Sequence, residues 1–152
     1  MRDQDEIQAT LLIVEDNETQ QYVLKELCLK FDYDAHIVSS GEEALSALKC
    51  TRYAAILMDI ALGGMDGFEC TRQIRQLESQ LQRRTPIIAV TGALEERQRC
   101  LAAGMDDYIS KPFEIEDFRL MLLRNAYQPA KVNLKLLRGY IAKSETKSEQ
   151  NQ

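Results

Sequence analysis

The sequence predicts an α/β fold of five strand–helix units, with one parallel sheet covered by helices on both faces. Three observations predict it. Five short runs rich in apolar and β-branched residues alternate with stretches whose apolar residues recur every three or four positions. The first of them, Thr10-Leu11-Leu12-Ile13-Val14, is a continuous apolar run, as expected of a strand buried on both faces. The regular order, strand then helix, implies crossover connections between parallel neighbours rather than hairpins.

Each element follows from local pattern. Thr10-Leu11-Leu12-Ile13-Val14 is the first strand. Periodicity then predicts a helix over about residues 18–31, with Val23, Leu24, Leu27, Cys28 and Phe31 on one face. Asp32-Tyr33-Asp34 is a turn, and Ala35-His36-Ile37-Val38 is a second, shorter strand. Ser40-Gly41-Glu42-Glu43 reads as a capping box, with Ser40 as N-cap and Glu43 reaching back. It opens a helix that buries Ala44, Leu45 and Leu48. Ala54-Ala55-Ile56-Leu57-Met58 is the third strand, ending at Asp59. A loop with Gly63-Gly64 leads to Asp66-Gly67 and a third helix, with Cys70, Ile74, Leu77 and Leu81 on one face. Thr85-Pro86 begins the fourth strand, Ile87-Ile88-Ala89-Val90, which ends at Thr91-Gly92. A fourth helix runs from about Leu94 to Ala103 and stops at Gly104, a C-cap position. Asp107-Tyr108-Ile109-Ser110 is the fifth strand. Lys111-Pro112-Phe113 leads into the fifth helix, which buries Phe118, Met121 and Leu122. After about Gln128 the pattern weakens. Val132, Leu134, Leu136, Leu137, Tyr140 and Ile141 can form a short amphipathic segment, and Ser144–Gln152 is polar enough to be disordered. The expected organisation is therefore an N-terminal tail (1–9), one domain (10–127) and a partly disordered C-terminal extension (128–152).

Composition narrows the function. The 152 residues are 45% hydrophobic and 28% charged, which is ordinary for a globular chain with one core. With 19 Lys plus Arg against 24 Asp plus Glu, the net charge is −5. That balance argues against a direct nucleic-acid partner, which needs clustered cations. No apolar run is long enough to span a bilayer, and the acidic start Met1-Arg2-Asp3-Gln4-Asp5-Glu6 lacks the apolar stretch of a signal peptide. The expected location is cytoplasmic, with no membrane partner. Cys28, Cys50, Cys70 and Cys100 have no zinc-ligand spacing and read as reduced, mostly buried small hydrophobes. His36 reads as a surface or edge residue, and Gln82-Arg83-Arg84 as a solvated loop.

The polar residues that matter lie just past the strands. In an open parallel sheet, ligands bind beyond the carboxyl ends of the strands, where the strand order reverses. Glu15 and Asp16 follow the first strand, Asp59 the third, Thr91 the fourth and Lys111 the fifth. Clustered carboxylates repel one another, and a hard divalent cation relieves that repulsion. Mg²⁺ fits, since it needs one or two carboxylates and keeps water or phosphate oxygens as its other ligands. A Lys beside such a site suits phosphoryl transfer, and an Asp can be the nucleophile. Any one of these residues alone reads equally well as a helix cap or turn; their joint placement is what points to chemistry.

Val14-Glu15-Asp16-Asn17, Met58-Asp59-Ile60, Met65-Asp66-Gly67, Thr91-Gly92-Ala93 and Gly104-Met105-Asp106-Asp107-Tyr108-Ile109-Ser110-Lys111-Pro112-Phe113 stand in this order. On them the chain resembles the receiver (response regulator) domains of two-component phosphorelay signalling, and is similar to the receivers of hybrid histidine kinases. The resemblance covers about residues 10–127. It implies the flavodoxin-like (βα)5 fold with strand order 2-1-3-4-5. It implies that Asp59 is the phosphoacceptor, taking a phosphoryl group from a histidine kinase or histidine phosphotransfer domain. It implies that Mg²⁺ is bound by Asp16, Asp59 and the backbone carbonyl of Ala61, with Glu15 acting through water. Lys111 and Thr91 are then the phosphoryl-binding groups, Tyr108 the switch aromatic, and Lys111-Pro112 a cis peptide. The output face is the fourth helix, fifth strand and fifth helix. Tyr22 and Leu29, opposite the core stripe of the first helix, are either scattered surface apolars or a docking patch for the phosphodonor. Such a chain is not an enzyme with a separate substrate; it catalyses its own phosphorylation and dephosphorylation. No effector domain is expected after the fifth helix, so the chain is either a stand-alone regulator or the receiver piece of a hybrid kinase.

Two departures and three competing readings bear on this. The family has a Pro four residues past the phosphoacceptor, where this chain has Gly63 followed by Gly64, which makes the loop more flexible. Ala61 and Ala93 are small, so the aspartyl phosphate is expected to be unshielded from hydrolysis. A flavin mononucleotide carrier would need hydroxyls and amides after the first strand, where Glu15 and Asp16 repel a phosphate. A haloacid-type phosphatase wants a second Asp two residues past the nucleophile, where Ala61 stands. A non-phosphorylated, receiver-like protein-binding module is the remaining alternative, and the complete set of Asp16, Asp59, Thr91 and Lys111 speaks against it.

Overall fold

The five apolar runs pair side by side as one parallel sheet in the computed structural model, which describes residues 9–126. In chain order the elements are β1 (Thr10–Val14), α1 (Glu18–Lys30), β2 (Asp34–Val38), α2 (Gly41–Cys50), β3 (Ala55–Asp59), α3 (Gly67–Leu81), β4 (Ile87–Thr91), α4 (Arg97–Ala103), β5 (Asp107–Ser110) and α5 (Ile115–Asn125). A single 3-10 turn, Leu94–Glu96, precedes α4. The sheet order is β2-β1-β3-β4-β5, so the flavodoxin-like (βα)5 arrangement with order 2-1-3-4-5 is the observed fold. Residues 1–8 of the expected tail, the extension 128–152, the Val132 to Ile141 segment and the Ser144–Gln152 end lie outside the described residues. Among those described, no helix is long and apolar enough to cross a membrane.

The sheet separates two cores because side chains alternate along each strand. Leu12, Val14, Ile56, Met58, Ile87 and Ala89 point to one face and pack under α2, α3 and α4 with Ala44, Leu48, Phe68, Ile74 and Cys100. Leu11, Ile13, Leu57, Ile88, Val90 and Ile109 point to the other and pack under α1 and α5 with Leu24, Cys28, Phe118 and Met121. In-register neighbours such as Leu12 and Ile56 on adjacent strands are both fully buried. Each such side chain contributes about 1.5–3 kcal/mol of hydrophobic stabilisation. Cys28, Cys70 and Cys100 are buried, while Cys50 is exposed.

Several local expectations are corrected. Val23 is 47% exposed, because the buried arc of α1 centres on Leu24 and Cys28 and Val23 lies about 100° from Leu24 around the helix. Leu81 is 40% exposed, since it is the last residue of α3 and the chain turns away at Gln82 in a left-handed conformation. At α2 the Ser40 hydroxyl accepts from the Glu43 N–H, but the Glu43 carboxylate accepts from the Ser39 N–H rather than that of Ser40. Gln82-Arg83-Arg84 is no mere solvated loop: Arg83 donates to the Leu48 carbonyl, and Arg84 to Asp106 at 2.8 Å. His36 is exposed on the edge strand β2, with its Nδ1 in hydrogen-bond contact with the Tyr53 hydroxyl.

At the amino ends of β4 and β5 a dense ionic network fixes the frame. Arg75 on α3 donates to the Gly104 carbonyl at 2.9 Å, the Thr85 carbonyl at 2.7 Å, Glu78 at 2.6 Å and Asp106 at 2.7 Å. The Glu78 carboxylate, nearly inaccessible, also accepts from the Thr85 N–H at 2.6 Å, and Asp106 accepts from the Ile87 N–H at 2.9 Å. Desolvation raises the Asp106 pKa, but the Ile87 N–H, Arg84 and Arg75 outweigh it and hold the carboxyl below its usual value.

Candidate functional site

The carboxyl ends of β1, β3, β4 and β5 open into one cleft of ≈ 650 Å³. Glu15, Asp16, Asp59, Thr91 and Lys111 all line it, so the sheet brings together the residues that the strand ends single out. Parallel pairing explains the convergence. Asp59 pairs with Val90 in register, which sets Thr91 one residue further along β4, and Thr91 pairs with Ser110, which sets Lys111 just past β5.

Glu15, Asp16 and Asp59 each offer a carboxylate oxygen within 4.8 Å of the other two. Backbone N–H groups hold one oxygen of each carboxylate. The Asn17 N–H donates to Glu15 Oε1 at 3.1 Å, and the Ala61 N–H to Asp59 Oδ1 at 3.0 Å. The Gly63 N–H donates to Asp16 Oδ2 at 3.2 Å. That last bond depends on the departure at residue 63, because a Pro has no N–H to give. Gly64 takes a left-handed φ of +73°, which suits the glycine there.

Glu15 is 1% exposed, and its Oε2 is buried without a hydrogen-bond partner. Lys111 Nζ stands 3.9 Å from it, too long for a hydrogen bond. Burial, opposed by the Asn17 N–H and reinforced by the charge of Asp59, pushes the Glu15 carboxyl up to about 7. An orphaned, desolvated carboxylate oxygen beside two more carboxylates fits a hard divalent cation. Asp16, Asp59 and Glu15 are the residues able to hold one, and Ala61 lines the same cleft.

Thr91 is buried, and its Oγ1 accepts from the Ala93 N–H at 3.0 Å, which leaves its hydroxyl proton to donate elsewhere. The Lys111–Pro112 peptide is cis, as the resemblance implies. Tyr108 is placed differently. It is half-buried on β5, packs against the α2–α4 core and lines a second cleft of ≈ 440 Å³ with Arg97, Pro112, Phe113 and Leu120. The Arg97 guanidinium carbon lies 5.2 Å from the Tyr108 ring centroid. Tyr22 and Leu29 are 65% and 42% exposed on the outer side of α1, and Val23 adds to the same exposed surface.

Residues missed in the sequence also belong to the cleft. Gln20, Phe68, Glu96 and Arg99 line it, and the Arg99 guanidinium carbon sits 4.3 Å from the Phe68 ring centroid. Gly67 is a close-approach glycine: a Cβ there would meet the Asp59 carbonyl oxygen at 2.4 Å. The Asp66-Gly67 pair signalled this turn; nothing in spacing alone signalled Gln20 or Arg99.

A family model described as the response regulator receiver domain matches residues 11–123. The chain is 37% identical over 123 residues to hybrid signal transduction histidine kinase G of Dictyostelium discoideum, covering 78% of this chain but 4% of that protein. It thus spans a small fraction of that curated relative. Among solved structures, the receiver domain of sensor histidine kinase PA1611 from Pseudomonas aeruginosa, with a magnesium ion coordinated in its active-site cleft, is 39% identical. It matches with a TM-score of 0.70 over 77% of this chain and 96% of that one. A chain of the Saccharomyces cerevisiae co-crystal of the histidine phosphotransfer protein Ypd1 with the receiver domain of the response regulator Ssk1 is 28% identical. Its TM-score is 0.66, over 74% of this chain and 84% of that one.

Proposed function

The chain belongs to the response regulator receiver domain family, and from that premise we propose that Asp59 accepts a phosphoryl group from the phosphohistidine of a histidine kinase or histidine phosphotransfer protein. An Asp59 carboxylate oxygen attacks phosphorus as the P–N bond to the donor imidazole breaks. The imidazole leaves with the electron pair and takes up a proton from water. Asp16, Asp59 and the Ala61 carbonyl would hold Mg²⁺, with Glu15 reaching it through water, and the ion would supply charge neutralisation for the carboxylates and the transferring group. Lys111 donates to one phosphoryl oxygen and the Thr91 hydroxyl to another. Hydrolysis reverses the modification at the same site, so the domain acts on itself rather than on a separate substrate.

The observation that carries this reading is the orphaned, buried Glu15 oxygen within a three-carboxylate cluster, with a lysine ammonium beside it. The magnesium in the cleft of the PA1611 receiver supports the choice of ion. The phosphate biases a two-state equilibrium through Thr91 and Tyr108, and the α4–β5–α5 face carries the output. The exposure of Tyr22 and Leu29 on α1 supports docking of the phosphodonor there, and the Ypd1 co-crystal supports a histidine phosphotransfer protein as the kind of partner. On this reading the chain works in the cytoplasm, and among the described residues no helix is long and apolar enough to cross a membrane.

Incubation with acetyl phosphate and Mg²⁺ followed by intact mass tests the chemistry. One phosphoryl adduct is expected on the wild type, and none on Asp59→Asn or in the presence of a chelator. An unmodified wild type would leave only a protein-binding role.

A further inference from the structure

Lys111 carries its charge on a four-carbon stem that is partly open to solvent, so something must hold the ammonium if it is to meet a phosphoryl oxygen. Glu15, at 3.9 Å, attracts it without fixing its direction. The hydrogen bond of the ammonium among the described residues goes to the side-chain carbonyl of Gln20, on the first turn of α1. Gln20 is itself placed from two sides. Asn17 caps α1 and its Oδ1 accepts from the Gln20 N–H at 3.0 Å. The next side chain, Gln21, donates to the Glu15 carbonyl at 2.6 Å and to Ser39 Oγ at 3.2 Å. These bonds fix the rotation of the first turn against the end of β1, and so fix which residue of α1 faces Lys111.

We propose that Gln20 is a positioning residue for phosphoryl transfer, acting through Lys111. An ammonium has three donors. Gln20 takes one, Glu15 attracts the second, and the third is left for the phosphoryl oxygen. The amide suits this task better than a carboxylate would. It orients the cation without adding another negative group beside the Glu15, Asp16 and Asp59 cluster, in a cleft that Asp66 and Glu96 also line and that must admit a phosphoryl group. This inference rests on the reading of Asp59 as phosphoacceptor.

The test is a double-mutant cycle on the full chain, with acetyl phosphate and Mg²⁺, following the rate of adduct formation by intact mass. Gln20→Met keeps the length of the side chain and removes the acceptor. It is expected to slow uptake about tenfold, the effect of one hydrogen bond to a charged group. In a Lys111→Met background the same change is expected to alter the rate by less than about twofold, because nothing remains to be oriented. Gln20→Glu is expected to slow uptake as well, since it keeps the acceptor but adds charge. In metal-free protein, the side-chain amide signal of Gln20, identified by its loss in Gln20→Met, is expected to move in Lys111→Met. A wild-type rate in Gln20→Met would overturn the proposal. So would an equal slowing in both lysine backgrounds, or an amide signal indifferent to Lys111. If Gln20→Met does not fold, Gln20→Ala takes its place in the cycle. No adduct on the wild type would instead sink the phosphoacceptor reading, which separates the two failures.

Discussion

A single carboxylate sets the pH behaviour of the cleft. Glu15 titrates near 7 in the fold against an ordinary value of 4.5. Between those values the folded, metal-free protein holds a proton that the unfolded chain has released. Its stability therefore falls as pH rises through that window, and the deficit is complete above about 7. Glu15→Gln is expected to stabilise the metal-free protein by about 3 kcal/mol at pH 8, and to change nothing below pH 4.5, by thermal melts in chelator. Wild-type affinity for Mg²⁺ is expected to weaken as pH drops below 7, because a protonated Glu15 no longer offers its negative charge to the cation and its water. At this scale the sequence was informative where a residue follows directly on an apolar run. Glu15, Asp16, Asp59, Thr91 and Lys111 are all positioned by strand ends, which pattern reveals. Gln20 and Arg99 sit on helices, and their arrival in the cleft depends on helix rotation and side-chain conformation, which composition and spacing do not encode.

Strands were more legible than helix faces. A continuous apolar run has only one good place, between two covered faces, whereas a helix buries an arc whose width depends on its neighbours. Val23 and Leu81 obey the 3.6-residue period and are still exposed, because one lies on the flank of its helix and the other at its end. The capping residues were legible, yet Glu43 bonds one residue earlier than the box predicts. Arg75 was invisible as a structural residue, since its four partners come from α3, the segment before β4 and the turn before β5, and only the assembled fold brings them together. Its loss would strand Glu78, whose side chain is 2% exposed, without a counter-charge. Arg75→Ala is expected to cost about 3–5 kcal/mol in denaturant unfolding, and Arg75→Lys to recover little of it, because one ammonium cannot serve carbonyls and carboxylates in four directions.

Across the whole molecule the two ends of the sheet carry opposite kinds of polarity. The amino ends of β4 and β5 hold a satisfied ionic network, and the carboxyl ends hold crowded negative charge with an orphaned oxygen. The first turn of α1 borders the second of these through Gln20, and the exposed Tyr22 and Leu29 further along the helix give a direct test of donor docking. Replacing both with Ser is expected to slow transfer from a phosphohistidine protein about tenfold or more while leaving uptake from acetyl phosphate unchanged. Equal rates from the protein donor would reject docking there. The network at the amino ends also holds one end of α4. Gly104, which ends α4 at a φ of +106°, has its carbonyl held by Arg75 and packs on the stem of the same arginine. Its far end, the 3-10 turn of Leu94–Glu96, begins three residues past Thr91 and has no side-chain cap. Mechanically, α4 is therefore tethered at its Gly104 end by Arg75, while its other end, beside the cleft, is held by the packing of Arg97 on Tyr108 and Arg99 on Phe68 rather than by a cap.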